Sequence, residues 1–208
     1  YSTIPIFSKD SDSDSIDAFR YVAGKQRKKL RSKKKLIDTE CTFEIRRKKD
    51  GSAYPGREVE QLVGHMISEG IRVKEYFSDE MLAFWERLYD SDVLCVALLY
   101  KGGEIVTCNF MYYDERHREY IKWLMLYREN SWNMAINIKI AEYIYKNDEG
   151  ATINFARGIY DYKLVNFHPD VKALFCVKIA KTKFGHIKNM LSLAVHYSKP
   201  VIKSLLGR

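Results

Sequence analysis

The sequence predicts an α+β domain built on a mixed sheet, and three observations carry that prediction. Residues 93–127 hold three strand-like segments joined by tight turns. Helical periodicity flanks this block on both sides. Near the C-terminal end, residues 151–167 run from a short β-branched strand into a helix start. The 208 residues are enough for one domain, and 46% apolar content is enough for a core.

The elements follow in order. Residues 8–17 are polar and acidic and read as tail, so residues 1–15 are assigned to a tail or linker and 16–208 to the domain. Ser13 or Ser15 is placed to cap a helix over 16–37, whose Ile16, Phe19, Val22, Leu30 and Ile37 share a face. An extended stretch is expected at 42–47. Val59, Leu62, Val63, Met66 and Ile67 predict a helix over 57–69, and Met81, Leu82, Trp85 and Leu88 another over 79–90.

Residues 93–100 read as a buried strand, turned at Lys101-Gly102-Gly103, where glycine supplies positive φ. Residues 104–113 return, and 119–127 alternate as a third strand, which makes an antiparallel meander. Ser131 is placed to cap a helix over 132–146, with Gly150 after its C-terminus. A strand at 152–155, a helix opening near Tyr160, a strand over 171–180 and an amphipathic helix over 185–206 complete the order.

Composition narrows the chemistry. A net charge of +8 points to anionic partners without choosing among nucleic acid, lipid surface and phosphate-bearing ligands. Lys25 to Lys35 holds most of the local positive charge, with Arg46, Arg47, Lys48 and Lys49 near it in sequence. Cys41, Cys95, Cys108 and Cys176 are scattered, with no metal or redox spacing, so neither a disulfide nor a metal is expected. His65, His117, His186 and His196 are isolated. No apolar run approaches membrane-spanning length and no signal peptide is evident, which reads as a cytoplasmic protein. The chain starts at Tyr1, and an N-terminal portion is expected to precede it.

The stretch ATINFARGIYDYKLVNF gathers the most chemistry. A strand running into a helix start exposes backbone N–H groups beside Arg157, Tyr160, Tyr162 and Lys163, which suits anion binding and proton transfer. Arg157-Gly158, a gap, then Tyr162-Lys163 after a strand resembles the signature of the CelD/BcsL-like acyltransferases. That family lies in the GNAT superfamily and is related to the FemABX aminoacyltransferases. Ile159 stands where the family usually has an acidic residue, and Phe167-His168 where it tends to have an aromatic and glycine. The order of elements over residues 20–180 agrees, and the chain resembles the second of the family's two halves.

The resemblance implies a GNAT-like fold. The strand after the crossover helix pairs in parallel with the third meander strand, and the two splay to admit an acyl-CoA. It implies transfer of an acyl group to an amine, such as an amino sugar in surface-polysaccharide synthesis. Catalytic roles then fall to Tyr162 (or Tyr160) as proton donor to a leaving thiolate, to Lys163 and Arg157 toward anionic groups, and to Asp161, Glu129 or His168 as base. Backbone near Tyr127, with Asn130, Ser131, Asn133 and Gly158, would hold the donor. The turn before the crossover helix has no glycine, unlike the usual phosphate loop. That keeps two further readings open: a Fem-like enzyme using aminoacyl-tRNA, or a non-catalytic GNAT scaffold. The basic segment Lys25–Lys35 would then meet tRNA or an anionic surface, the latter at the inner face of the membrane.

Overall fold

The computed structural model describes residues 2–8, 24–148, 150–156 and 170–174, together with Thr182 and Ile187. The chain divides into two units, Ser2–Ala173 and a second made of Tyr1 with Leu174–Arg208. The first contains the elements discussed below; in the second, Ile187 is exposed. The expected caps at Ser13 and Ser15, the helix at 16–23, the motif helix, the strand beyond 174 and the helix over 185–206 lie outside the described residues.

The order is β1 (Ser2–Ser8), α1 (Gly24–Glu40), β2 (Cys41–Arg46), α2 (Gly56–Ser68), α3 (Asp79–Asp90), β3 (Leu94–Lys101), β4 (Glu104–Asp114), β5 (Glu119–Tyr127), α4 (Trp132–Asn147), β6 (Thr152–Asn154) and β7 (Asp170–Leu174). The strands form one mixed sheet in the order β2-β3-β4-β5-β6-β1-β7. Pairing from β2 to β5 is antiparallel. Among the pairings described, β5 with β6 is parallel, and the two are joined through α4. Meander, crossover helix and parallel pair are therefore present as expected, and the fold is GNAT-like.

Residues 2–8, placed in a tail by sequence, form a strand instead. β1 runs antiparallel to β6, with Ile6 opposite Asn154, Phe7 opposite Ile153 and Ser8 opposite Thr152. Pro5, which has no N–H to give a ladder, lies just outside these paired residues. The acidic run that dominates the N-terminal composition begins only after this strand.

Side-chain alternation along the meander divides the core between the two faces of the sheet. Cys95, Ala97, Leu99 and Met111 pack with Ile37 of α1 and Ile136, Ile140, Ala141 and Ile144 of α4. Leu94, Val96, Leu98, Cys108 and Phe110 pack with Val59, Leu62, Val63 and Met66 of α2 and Trp85 and Tyr89 of α3. α1 runs on to Glu40, three residues beyond the expected end, and Asp38 there is bonded to Lys34 of α1 and Lys139 of α4. Each of α2 and α3 carries one apolar stripe, which fixes its inward face.

Two β-bulges break the meander. One shifts the register between Leu99 and Tyr100. The other lies opposite Phe110/Met111: Phe110 faces Leu124 but Met111 faces Lys122, which leaves Trp123 as the extra residue. The alternation of β5 changes phase there. Tyr120 packs with the α4 side, whereas Leu124 and Leu126 pack with the α2/α3 side.

Candidate active site: the gap between β5 and β6

Three residue pairs hold β5 to β6: Glu119 with Thr152, Tyr120 with Ile153 and Ile121 with Asn154. β5 then continues to Tyr127 while β6 stops. The stop has a local cause. The Ala156 N–H donates to Asn154 Oδ1 at 2.9 Å, an Asx-type turn, and Ala156 takes a φ of 58°. Asn154 Nδ2 reaches back to Glu119 Oε1 at 3.3 Å, so one side chain both closes the pairing and turns the chain away. Among the described residues, 122–127 do not pair with β6, and this gap is where the splaying expected from sequence would begin.

Polar groups collect on the α4 side of the gap. The Lys122 ammonium donates to Asn137 Oδ1 and lies 5.7 Å from the centre of the Phe155 ring. Asn137 is buried in the apolar face of α4. Asn109, in register with Met125, is 1% exposed, and neither atom of its amide has a partner. These three residues escaped sequence reading. The available signal was a lysine and two asparagines interrupting otherwise apolar segments.

At the far end of β5 the chain enters α4. The Arg128 N–H donates to Val106 O at 2.9 Å and its Nε to Ile105 O at 2.8 Å, while its carbonyl accepts from His65 Nε2 at 3.1 Å. His65, read as isolated, thus ties α2 to this turn as the Nε2–H tautomer. Ser131 was expected to cap α4 and does not. Its backbone is already helical, and its hydroxyl donates to Glu129 Oε2 at 3.2 Å rather than accepting from the helix. Asn133 Nδ2 donates to Asn130 Oδ1 at 2.5 Å. The N–H groups of Trp132 and Asn133 go to the carbonyls of Glu129 and Asn130, each at 3.2 Å. The turn closes on itself because its side chains and carbonyls meet donors that would otherwise project outward.

Two lysines reach this turn, beside Glu129, and Lys101 is also paired with Glu40 at 3.0 Å. Lys33 Nζ lies 3.4 Å from Ser131 O, and Lys101 Nζ lies 5.6 Å from the centre of the Trp132 ring. The basic helix α1 therefore reaches the N-terminus of α4. Its Lys34 is drawn into pairs with Asp38 and Glu142, whereas Lys28, Lys29 and Lys35 are exposed.

Of the residues singled out by sequence, Tyr127, Asn130, Ser131 and Asn133 share the C-terminal end of β5, beside Glu129. Arg157, Gly158, Tyr160, Asp161, Tyr162, Lys163 and His168 lie outside the described residues. Cys41, Cys95 and Cys108 are unpaired, and burial pushes the thiols of Cys95 and Cys108 up. No group of His, Cys, Asp and Glu among the described residues could hold a metal ion, and no described helix is long and apolar enough to cross a membrane.

No protein-family model matches the sequence, and no curated protein does. Solved structures do resemble it. The C-terminal domain of a putative lysylphosphatidylglycerol synthetase from Agrobacterium fabrum aligns with a TM-score of 0.56 at 15% identity, over 82% of this chain and 57% of that one. The structure of L-PGS from Bacillus licheniformis aligns with a TM-score of 0.55 at 16% identity, again over 82% and 57%. A conserved protein of unknown function from Bacteroides thetaiotaomicron gives 0.54 at 15% identity, over 81% and 56%. The chain thus spans a little over half the length of these proteins, and what it shares with them is the fold.

Proposed function

We propose that this chain is a GNAT-type N-acyltransferase of the CelD/BcsL-like kind, moving an acyl group from acyl-CoA to an amine. Its acceptor class would be an amino sugar used in bacterial surface polysaccharide. The observation that supports this most is the early end of the β5/β6 pairing, after which β5 runs on past β6 beside the half-buried Lys122. A thioester lying there meets strand backbone that β6 does not pair, and a carbonyl that gains negative charge is stabilised by such fixed dipoles. The α4 N-terminus, with Lys33 and Lys101 beside it, suits a pyrophosphate once the turn releases the N–H groups of Trp132 and Asn133. Tyr127, Asn130, Ser131, Asn133 and Gly158 are assigned to the donor.

Arg157 follows Ala156 directly, so the motif starts where β6 ends. In the proposed chemistry Tyr162 protonates the departing thiolate, Arg157 and Lys163 pair with anionic groups, and Asp161 accepts a proton from the attacking amine. The reading places the reaction in the cytoplasm, near the inner face of the membrane. Thermal unfolding with acetyl-CoA tests it. Donor at 100 times its dissociation constant should add about 2.7 kcal/mol to stability. No change in the melting temperature counts against acyl-CoA.

A second reading, transfer from aminoacyl-tRNA, is favoured by two observations. The turn before α4 already uses its own N–H groups, and exposed lysines of α1 lead along the helix toward it. Likeness in fold to a lysylphosphatidylglycerol synthetase domain agrees with aminoacyl transfer. Binding of charged tRNA that weakens steeply with salt would support this reading, and indifference to tRNA would remove it. A non-catalytic scaffold is excluded once Tyr162→Phe or Lys163→Ala abolishes a measured transfer while folding is kept.

A further inference from the structure

On the α2/α3 side the same gap is bordered by aromatic rings rather than amides. Trp123 is 39% exposed, although it lies in the middle of a strand. The bulge explains its direction. As the extra residue of β5 it points to the same side as Leu124, and its ring contacts with Phe84 and Trp85 of α3 lie on that side. Tyr112 lies behind it, with ring centres 5.0 Å apart and planes 33° apart. Phe84 and Trp85 of α3 meet it edge-on, at 6.5 Å and 6.2 Å. Phe84 is itself 40% exposed, and Met81, one turn earlier on α3, is 38% exposed. A strand that gives up a ladder position to hold a half-exposed tryptophan, braced on three sides, presents a flat ring to solvent. That ring stands at the edge which β6 has left.

Charge completes the description. The chain carries +8 overall, yet the exposed surface of α3 carries Asp79, Glu80, Glu86 and Asp90 against Arg87, with Asp90 paired to Lys48. A ligand suited to this surface has an apolar face of ring size and a positive charge. An amino sugar meets both conditions: its axial C–H groups stack on an aromatic plane and its ammonium answers the carboxylates. We propose that Trp123, braced by Tyr112 and Phe84, is the acceptor platform, and that it takes a protonated amino sugar. The assignment of the acceptor side rests on the transferase reading above, whereas binding to the platform can be read without it.

The experiment follows the three tryptophan indole N–H signals by NMR as glucosamine is added, with Trp123→Leu identifying the signal of interest. The platform predicts that the Trp123 signal shifts saturably. It predicts about tenfold weaker binding in Trp123→Leu and near-parental binding in Trp123→Phe, which keeps a ring. Neutral N-acetylglucosamine should bind more weakly than glucosamine. Octylamine, an alkyl cation without a sugar ring, serves as the competitor. A Trp123 signal that ignores glucosamine, or that answers octylamine in preference, overturns the proposal. Acetyl-CoA added to the same samples separates the two readings. Retained donor binding with a silent Trp123 defeats the platform alone, and a responsive Trp123 without donor binding defeats the acyl-CoA reading alone.

Discussion

Asp148 shows how one side chain gathers the closed end of the sheet. It accepts from the phenols of Tyr113 and Tyr120 at 3.1 Å each and pairs with Arg118 at 2.5 Å, and Arg47 donates to the Tyr120 hydroxyl at 3.2 Å. Burial pushes the carboxyl up, but the bonds from Arg118, Tyr113 and Tyr120 outweigh it and hold the group below the ordinary carboxylate range. A depressed folded value means the stabilisation is present above the unfolded value, about 3.9, and is lost as pH falls through the folded one. Asp148→Asn should therefore cost about 1–2 kcal/mol at neutral pH, with the exposed Arg118 keeping the figure low. Its unfolding free energy should also fall less steeply than the parent's below pH 4, a comparison urea titrations across that range would settle. Asn109 makes the opposite case. Its amide is buried without a partner, so Asn109→Leu should be neutral or stabilising by up to about 1–2 kcal/mol. A clear loss of stability in that variant would mean the amide is satisfied in solution. Sequence reading could not reach either group, because pairing across 28 residues between Tyr120 and Asp148 is set by the crossover and not by local pattern.

At the scale of elements, periodicity was legible and capping was not. The helix expected over 79–90 and the strand over 119–127 stand at those positions, because one has a clear apolar face and the other a largely apolar run. The bulge at Trp123 was invisible, since a one-residue insertion leaves the run of apolar residues unchanged. Ser78 and Ser131 look alike in sequence, as each precedes a helix. Ser78 is extended and its hydroxyl accepts from the Met81 N–H at 3.3 Å, whereas Ser131 is already helical and makes no capping bond. Ser78→Ala should cost about 1 kcal/mol and Ser131→Ala no more than a few tenths, as thermal unfolding of the pair would show. Equal costs would mean that the α4 turn rearranges in solution. A strand of seven residues at the N-terminus was missed for a different reason: composition was averaged over a segment that is acidic only in its second half.

Over the whole molecule, element order gave the fold and the position of the crossover, since a parallel pair needs a connection that only 131–147 could supply. The turn that the proposal gives to the donor was legible as Tyr127, Asn130, Ser131 and Asn133, whereas the interior of the gap was not, because Lys122, Asn137 and Asn109 come from three separate elements. The account stands on that gap being the place where a donor lies. Hydrogen exchange of the protein with saturating acetyl-CoA tests this most directly. The account predicts slower exchange in peptides covering 122–127 and the start of α4, with 119–121 unchanged because they are already paired to β6. Unaltered exchange over 122–127, or protection confined to other strands, would contradict it.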